Sequence, residues 1–319
     1  MKTLAAAGAL AAVLMASTGS RAGVISVDVP TLGVNGNING FAIFPPDNPW
    51  NTPVDKEPVD PMSDAIIARI GADKPLIPEF GSNRHGAPFG IPYVVVDQTQ
   101  LRIPTAFDNV DQSDGGQYPI PIDAPIETTD GKSRRRLIVL ALDEHKLYEV
   151  SEAYREMEGW HGQTGAIFDL TSNELRPAGW ESADEAGLPI FPGLARYDDD
   201  HHNDIDHALR FTVGLTRAAY MPPARHFVGR KKDEDLPPMG MRVRLKASVD
   251  ISKFPPESRA ILSALKKYGM ILADTGDDWG LSGTADKRWD DQDLAALGQV
   301  KGSDFEVVEM QGLVEKDKK

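Results

Sequence analysis

The segment Leu137-Ile-Val-Leu-Ala-Leu-Asp-Glu-His-Lys-Leu-Tyr-Glu-Val150 contains two apolar runs separated by a short polar link. Short runs rich in Leu, Ile, Val and Tyr are typical of buried strands, and Asp143–His145 is long enough for a tight turn. We therefore predict a β-hairpin with strands at Leu137–Leu142 and Lys146–Val150. A hairpin of this kind favours a fold made mainly of β-strands.

Comparable runs predict further strands at Tyr93–Val96, Gly165–Leu170, His207–Val213 and Met241–Val249. Helical spacing of apolar residues is confined to three places, which begin near Ser63, Pro255 and Asp290. The chain has no repeat of about 20 to 50 residues and no regular βαβ alternation. We predict a mainly β fold, a β-sandwich or jelly-roll-like single domain with a few helices, and the alternative is a mixed α+β domain.

The first 22 residues have the pattern of a signal peptide, with Lys2 before the apolar stretch Leu4–Met15 and small residues before the expected cleavage point. We expect a secreted or periplasmic protein whose single β-rich domain spans residues 23–319. Its first part, about residues 23–61, is rich in Gly, Asn and Pro and is expected to be extended. No later apolar stretch approaches the roughly 20 residues of a membrane span.

Composition restricts the partners and the chemistry. The sequence has no cysteine, so disulfides, thiolate catalysis and Cys-ligated zinc are excluded. The formal net charge of −14 argues against nucleic acid and anionic membranes as partners, because both bind Lys- and Arg-rich surfaces. The same acidity is compatible with simple solubility or with binding of a cation.

An acidic and histidine-rich run lies directly before one predicted strand. It contains the candidate metal ligands Asp198, Asp199, Asp200, His201 and His202. Carboxylates favour calcium, whereas the histidines would also permit zinc or manganese. The spacing is not that of an EF-hand loop, and a solvated loop is the alternative interpretation.

Six polar side chains could converge in one catalytic site: Asp204, His207, Arg210, Arg225, His226 and Asp274. His and Asp can transfer protons, and arginine can neutralise an acidic group of a substrate. Some of them also have a structural interpretation, since Arg225 can bond nearby carbonyls, His226 can fill a satisfied polar niche, and an Asp at the end of a strand is often a turn residue. On a regular strand His207 and Arg210 point to opposite faces, so a bulge or bend is needed to bring them together.

Several motifs of known enzyme classes are absent from the sequence. The sequence has no phosphate-binding Gly-rich loop, no Gly-x-Ser-x-Gly elbow and no His-Glu-x-x-His motif. We predict a secreted carbohydrate-active enzyme, a glycoside hydrolase or a polysaccharide lyase, that cleaves a polysaccharide or oligosaccharide. Sugar-stacking walls are expected from Trp160, Trp180, Trp279 and Trp289. The alternative is a non-enzymatic exported module that binds glycan or another ligand and is stabilised by calcium.

Several segments resemble a family of secreted microbial proteins of unassigned function: Phe44–Asn51, Gly165–Asn173, Leu175–Trp180, His207–Thr212, Pro238–Leu245 and Tyr268–Asp274. The resemblance covers nearly the whole chain after residue 22. It implies export and a single domain, and it assigns no catalytic residue.

Overall fold

The computed structural model describes residues 30–128, 134–201 and 205–315. Within these residues the strands form five sheets and the helices are few, so the predicted mainly β fold is confirmed. The predicted signal peptide lies outside the described residues. The helices are α1 (Ser63–Ile70), α2 (Tyr197–His201), α3 (Pro256–Lys267) and α4 (Asp291–Leu294), with short 3-10 helices at Val110–Gln112, Leu142–Glu144, Phe191–Gly193, Ala295–Gln299 and Gly302–Asp304.

One sheet has five strands, in the spatial order β1 (Gly33–Val34), β5 (Val94–Val96), β8 (Leu137–Ala141), β9 (Lys146–Val150) and β12 (Gly165–Asp169). The predicted hairpin is β8 and β9, which pair antiparallel with Leu137 opposite Val150. His145 closes its turn with a φ of 50°. β5 runs parallel to β8, so this sheet is mixed.

Both faces of this sheet are buried, which explains why β8 is apolar at every position. Ile138 and Leu140 join the main core, whereas Leu137, Val139 and Ala141 pack into a second, smaller core on the opposite face. A four-stranded sheet supplies part of that second core, in the order β10 (Tyr154–Arg155), β11 (Trp160–Gly162), β6 (Ile103–Phe107) and β7 (Gly116–Tyr118).

The largest sheet has six strands, in the order β18 (Phe305–Val307), β15 (Arg242–Leu245), β16 (Met270–Thr275), β13 (Leu209–Val213), β17 (Gly280–Leu281) and β2 (Ile77–Pro78). Its apolar residues belong to the same main core as those of the five-stranded sheet. Two small sheets pair β3 (Gly81–Arg84) with β4 (Ala87–Phe89) and β14 (Ala219–Tyr220) with β19 (Val314–Glu315).

The extended segment before α1 lies against the Arg242 and Arg244 side chains of β15 and packs Trp50 into the core. Trp50 is 2 % exposed. The Arg242 guanidinium donates to the carbonyl oxygens of Pro49 and Thr52 at 2.8 and 2.9 Å. Arg244 likewise donates to the Glu57 carbonyl at 2.7 Å. The extended segment therefore covers the Arg242 and Arg244 side chains of β15.

Candidate functional site

A pocket of about 390 Å³ lies where the parallel strands β13 and β16 end. Thr212 of β13 and Thr275 of β16 line it, together with Gly276 and six charged residues: Glu79, Arg84, Glu127, Arg134, Arg136 and Asp277. Carboxylates and guanidinium groups that face one concave space are the combination expected at a catalytic or binding site.

A bulge between β13 and β16 determines which side chains point towards this pocket. Arg210 pairs with Ile271, but after Phe211 the register shifts, so that Thr212 pairs with Asp274. Paired residues in a sheet project to the same face. The shift therefore places Asp274 on the face of Arg210 and Thr212, at the pocket end of the sheet.

Asp274 is the centre of a buried ion-pair network behind the pocket. Its carboxylate is fully buried and contacts Arg136 directly, Arg134 at 3.3 Å and Arg210 at 3.6 Å. Burial opposes ionisation, but the three guanidinium groups together hold the pKa of Asp274 below its usual value. Asp274 therefore remains a carboxylate that fixes the arginines in place.

Two further carboxylates orient the same arginines. Glu127 accepts two hydrogen bonds from Arg136 Nη1, at 3.0 and 3.2 Å. Glu185 pairs with Arg134 and also accepts from the backbone N–H and the hydroxyl of Thr275, at 2.9 and 2.7 Å. Charge-assisted bonds of this kind are directional, so the guanidinium planes at the pocket have fixed orientations.

Glu79 is the carboxyl group in the pocket whose proton affinity is most useful for catalysis. It follows β2, and its backbone N–H donates to the Leu281 carbonyl at 2.8 Å. A Cβ built on Gly280 would lie 2.7 Å from the Glu79 carboxyl, so the glycine makes room for this side chain. Burial and the negative charge of Asp277 raise the pKa of Glu79 to about 7. Glu79 can therefore hold a proton at near-neutral pH and release it.

Two more carboxyl groups with raised pKa values lie deeper in the core. Burial raises the pKa of Glu149 to about 7, although the backbone N–H groups of Phe191 and Ile190 donate to it at 2.9 Å. Burial, with a smaller contribution from the negative charge of Asp274, also raises the pKa of Asp184 against the opposing effect of Arg210. These groups extend the polar network away from the pocket.

The protonation of Glu149 predicts how stability depends on pH. Its folded pKa of about 7 lies above the ordinary value of 4.5, so its stabilisation is complete below about pH 4.5 and is lost as pH rises through 7. The loss is on the order of 3 kcal/mol between pH 5 and 8. We expect Glu149→Gln, which mimics the protonated acid, to flatten this part of the curve of unfolding free energy against pH measured by urea denaturation. The raised pKa values of Glu79 and Glu257 also make stability fall as pH rises, so some slope should remain in Glu149→Gln. A slope equal to that of the wild-type protein would contradict the assignment to Glu149.

Of the six side chains predicted to meet in one catalytic site, the structure brings two together. Arg210 and Asp274 are in contact in the buried network behind Arg136. Both are almost fully buried, and neither lines the pocket. Their surroundings indicate that they position the arginines that do face it.

The remaining predicted residues lie elsewhere. Arg225 donates from Nε to the Arg176 carbonyl at 2.7 Å, and His226 Nδ1 lies 2.7 Å from the Glu185 carbonyl oxygen. The Arg225 contact is the carbonyl bond of the structural interpretation, the His226 contact gives its ring a polar partner, and neither side chain lines the pocket. Asp204 lies outside the described residues.

His207 belongs to a second pocket of about 390 Å³ on another part of the surface. Its Nε2 lies 2.9 Å from Arg196 Nη2 and 3.5 Å from Asp199 Oδ2, and its Nδ1 lies 2.9 Å from the Ala208 carbonyl oxygen. His207 and Arg210 therefore do not share a site, and the bulge between β13 and β16 comes from an extra residue in β16 rather than in the strand that follows His207.

The predicted sugar-stacking walls are corrected by the burial of the tryptophans. Trp160, Trp279 and Trp289 are at most 4 % exposed and pack in the two cores, so they present no free ring face to a sugar. Trp180 is half-buried and lies 5.5 Å from the Arg176 guanidinium. It does not line the charged pocket.

The acidic run forms the short helix α2, and its described carboxylates are used in ion pairs. Asp198 binds Arg288 with 2.6 and 3.0 Å contacts, and Asp199 pairs with Arg196 at 2.5 Å. The side chains of Asp200 and His201, and the whole of His202, lie outside the described residues. Among the side chains that the structure does describe, no group of three His, Asp or Glu residues could hold a metal ion.

The sequence reasoning overlooked Glu79, Asp277 and the arginine run that precedes β8. A usable signal existed for Glu79, because it interrupts the otherwise apolar segment Leu76-Ile-Pro-Glu-Phe80. Arg134 and Arg136 stand immediately before a strand that is buried on both faces, where a charge needs a partner. Their carboxylate partners come from distant parts of the chain. The sequence pattern therefore indicates that these arginines lie beside a buried strand, but it does not indicate the site that they form.

No protein-family model matches the chain, and no curated protein or solved structure matches it either. Within the described ranges, no helix is long and apolar enough to cross a membrane.

Proposed function

We propose that this protein is a secreted glycoside hydrolase that cleaves a polysaccharide in the pocket at the ends of β13 and β16. The observation that carries the proposal is Glu79, a pocket carboxyl whose pKa is raised to about 7 by burial and by the neighbouring Asp277. Most glycoside hydrolases use a pair of carboxyl groups, one protonated and one ionised, to hydrolyse the glycosidic bond.

Each carboxyl group has a separate role in this reaction. Glu79 donates its proton to the glycosidic oxygen as the bond between that oxygen and the anomeric carbon breaks. Asp277 acts on the anomeric carbon. It is either the nucleophile that attacks this carbon or the base that takes a proton from the attacking water. Water delivers hydroxide to the anomeric carbon and its proton to a carboxylate, so no further reactant is needed.

Hydrolysis is favoured over a lyase reaction by the residues that line the pocket. A lyase needs a base that removes the proton next to the sugar carboxylate, commonly His or Tyr. The described lining residues include neither type, whereas they include the two carboxyl groups of a hydrolase. The exported location belongs to the same proposal, since polysaccharide substrates are found outside the cell.

The pH dependence of the reaction tests this assignment. Glu79 is active as an acid only when protonated, so we expect kcat/KM to fall about tenfold per pH unit above pH 7. Release of reducing ends from neutral and acidic polysaccharides measures the rate, and absorbance of unsaturated uronate detects any lyase reaction. Reducing ends without that absorbance are the expected products. Unsaturated products, or a rate that increases above pH 8, would overturn the role of Glu79.

A further inference from the structure

The hairpin of β3 and β4 contributes Arg84 and Phe89 to the lining of the pocket. The Arg84 guanidinium lies over the Phe89 ring, 4.8 Å from its centroid, and both residues line the pocket. Stacking on an aromatic ring keeps a guanidinium extended while leaving its N–H groups free to bind. Arg84 forms no ion pair with any carboxylate among the described residues.

The hairpin is fixed to the body of the protein. The Ser82 backbone N–H donates to Asp291 Oδ1 at 2.7 Å, and the Ser82 hydroxyl donates to Asp291 Oδ2. A Cβ on Gly81 would lie 2.3 Å from Asp291 Oδ1, so the close approach requires glycine at this position. The start of β3 is thus anchored at Gly81 and Ser82, and Arg84 at the other end of the strand is exposed.

The other arginines of the pocket are already paired. Arg136 binds Glu127 and Asp274, and Arg134 binds Glu185 and Asp274. Arg84 therefore differs from them in that its positive charge has no carboxylate partner in the described part of the chain. Glu79 projects over Gly280 on the side of β17, whereas Arg84 projects from the hairpin.

We propose that the substrate is an anionic glycan whose acidic group pairs with Arg84. This inference rests on the proposed hydrolase activity and specifies its substrate class. A planar guanidinium binds a carboxylate or an ester of sulfate or phosphate through two parallel hydrogen bonds. A sugar held in this way has its acidic group on the hairpin side and its glycosidic oxygen towards Glu79.

Three matched polymers distinguish the source of the charge: a polyuronide, the same polymer with its carboxyl groups reduced to alcohols, and a sulfated polysaccharide. We expect hydrolysis of one anionic polymer and about 10- to 100-fold lower kcat/KM on its uncharged counterpart, because a charge-assisted bond is lost. Arg84→Met should lower kcat/KM on the anionic polymer by the same factor, mainly through KM, and Arg84→Lys should recover part of it. Arg259→Met removes an exposed arginine on α3, outside the pocket, and should leave both values unchanged.

The outcomes separate this inference from the proposed function. If charged and uncharged polymers are hydrolysed equally and Arg84→Met has no effect, the proposal of an anionic substrate is overturned and the proposed hydrolase activity stands. No hydrolysis of any polymer, with calorimetric binding of an oligouronide or sulfated oligosaccharide that Arg84→Met abolishes, would overturn the hydrolase and support the anion site. Neither hydrolysis nor binding would overturn both.

Discussion

Glu79→Gln is expected to reduce kcat/KM on the polysaccharide substrate by about 10² to 10⁴, which is the usual contribution of a general acid. Glutamine keeps the size of the side chain above Gly280 but has no proton to transfer to the leaving oxygen. The folded structure should be retained, since Glu79 is only half-buried and its backbone hydrogen bond to Leu281 is unchanged. Initial rates of reducing-end release measure the loss.

Two controls distinguish proton donation from a structural effect. Aryl glycosides with acidic phenol leaving groups need no protonation, so Glu79→Gln should lose much less activity on them than on the polysaccharide. Glu158→Gln makes the same chemical change at an exposed position away from the pocket and should behave as wild type. Equal losses on activated and natural substrates would contradict the role of Glu79 as the acid.

Asp274→Asn is expected to have the largest effect on stability, about 3 to 5 kcal/mol. Asp274 is fully buried against Arg134, Arg136 and Arg210, so loss of its charge leaves buried guanidinium groups without full compensation. For a protein of this size the loss corresponds to a fall in Tm of about 10 °C. Thermal unfolding followed by circular dichroism measures it.

A matched variant shows whether the effect comes from the network. Asp250→Asn makes the same change at an exposed residue that accepts from the Ser252 backbone N–H at 2.9 Å, and asparagine can make that bond too. It should shift Tm by no more than about 2 °C, within the range of ordinary surface substitutions. An Asp274→Asn variant as stable as Asp250→Asn would show that the buried charge is not needed for folding.

The elements that depend on local sequence could be predicted. The hairpin of β8 and β9 was evident because its apolar runs and polar turn are contiguous, and α3 because its apolar spacing is bounded by Pro255 and Gly269. Strands of two or three residues, such as β10 and β17, carry too few side chains for a period of two to be visible. β10 pairs with the nearby β11, whereas the position of β17 is determined by pairing with the distant strands β13 and β2.

The candidate site depends on contacts that the sequence pattern does not contain. Arg210 and Asp274 were selected from the sequence, but their meeting results from a register shift that no local pattern encodes. Glu79 and Asp277 are about 200 residues apart and come together only when β2 joins the six-stranded sheet beside β17. The concentration of histidines near His207 predicted a catalytic role for this residue. In the structure His207 contacts Arg196 in a separate pocket.

The most direct test of the proposed activity is proton NMR of an anionic polysaccharide incubated in parallel with the wild-type protein and with Glu79→Gln. We predict that the wild-type protein produces new reducing-end anomeric signals at pH 5 to 6, and that Glu79→Gln at the same concentration does not. A spectrum that stays unchanged with the folded wild-type protein across neutral and anionic polymers would contradict the account, as would equal cleavage by both proteins.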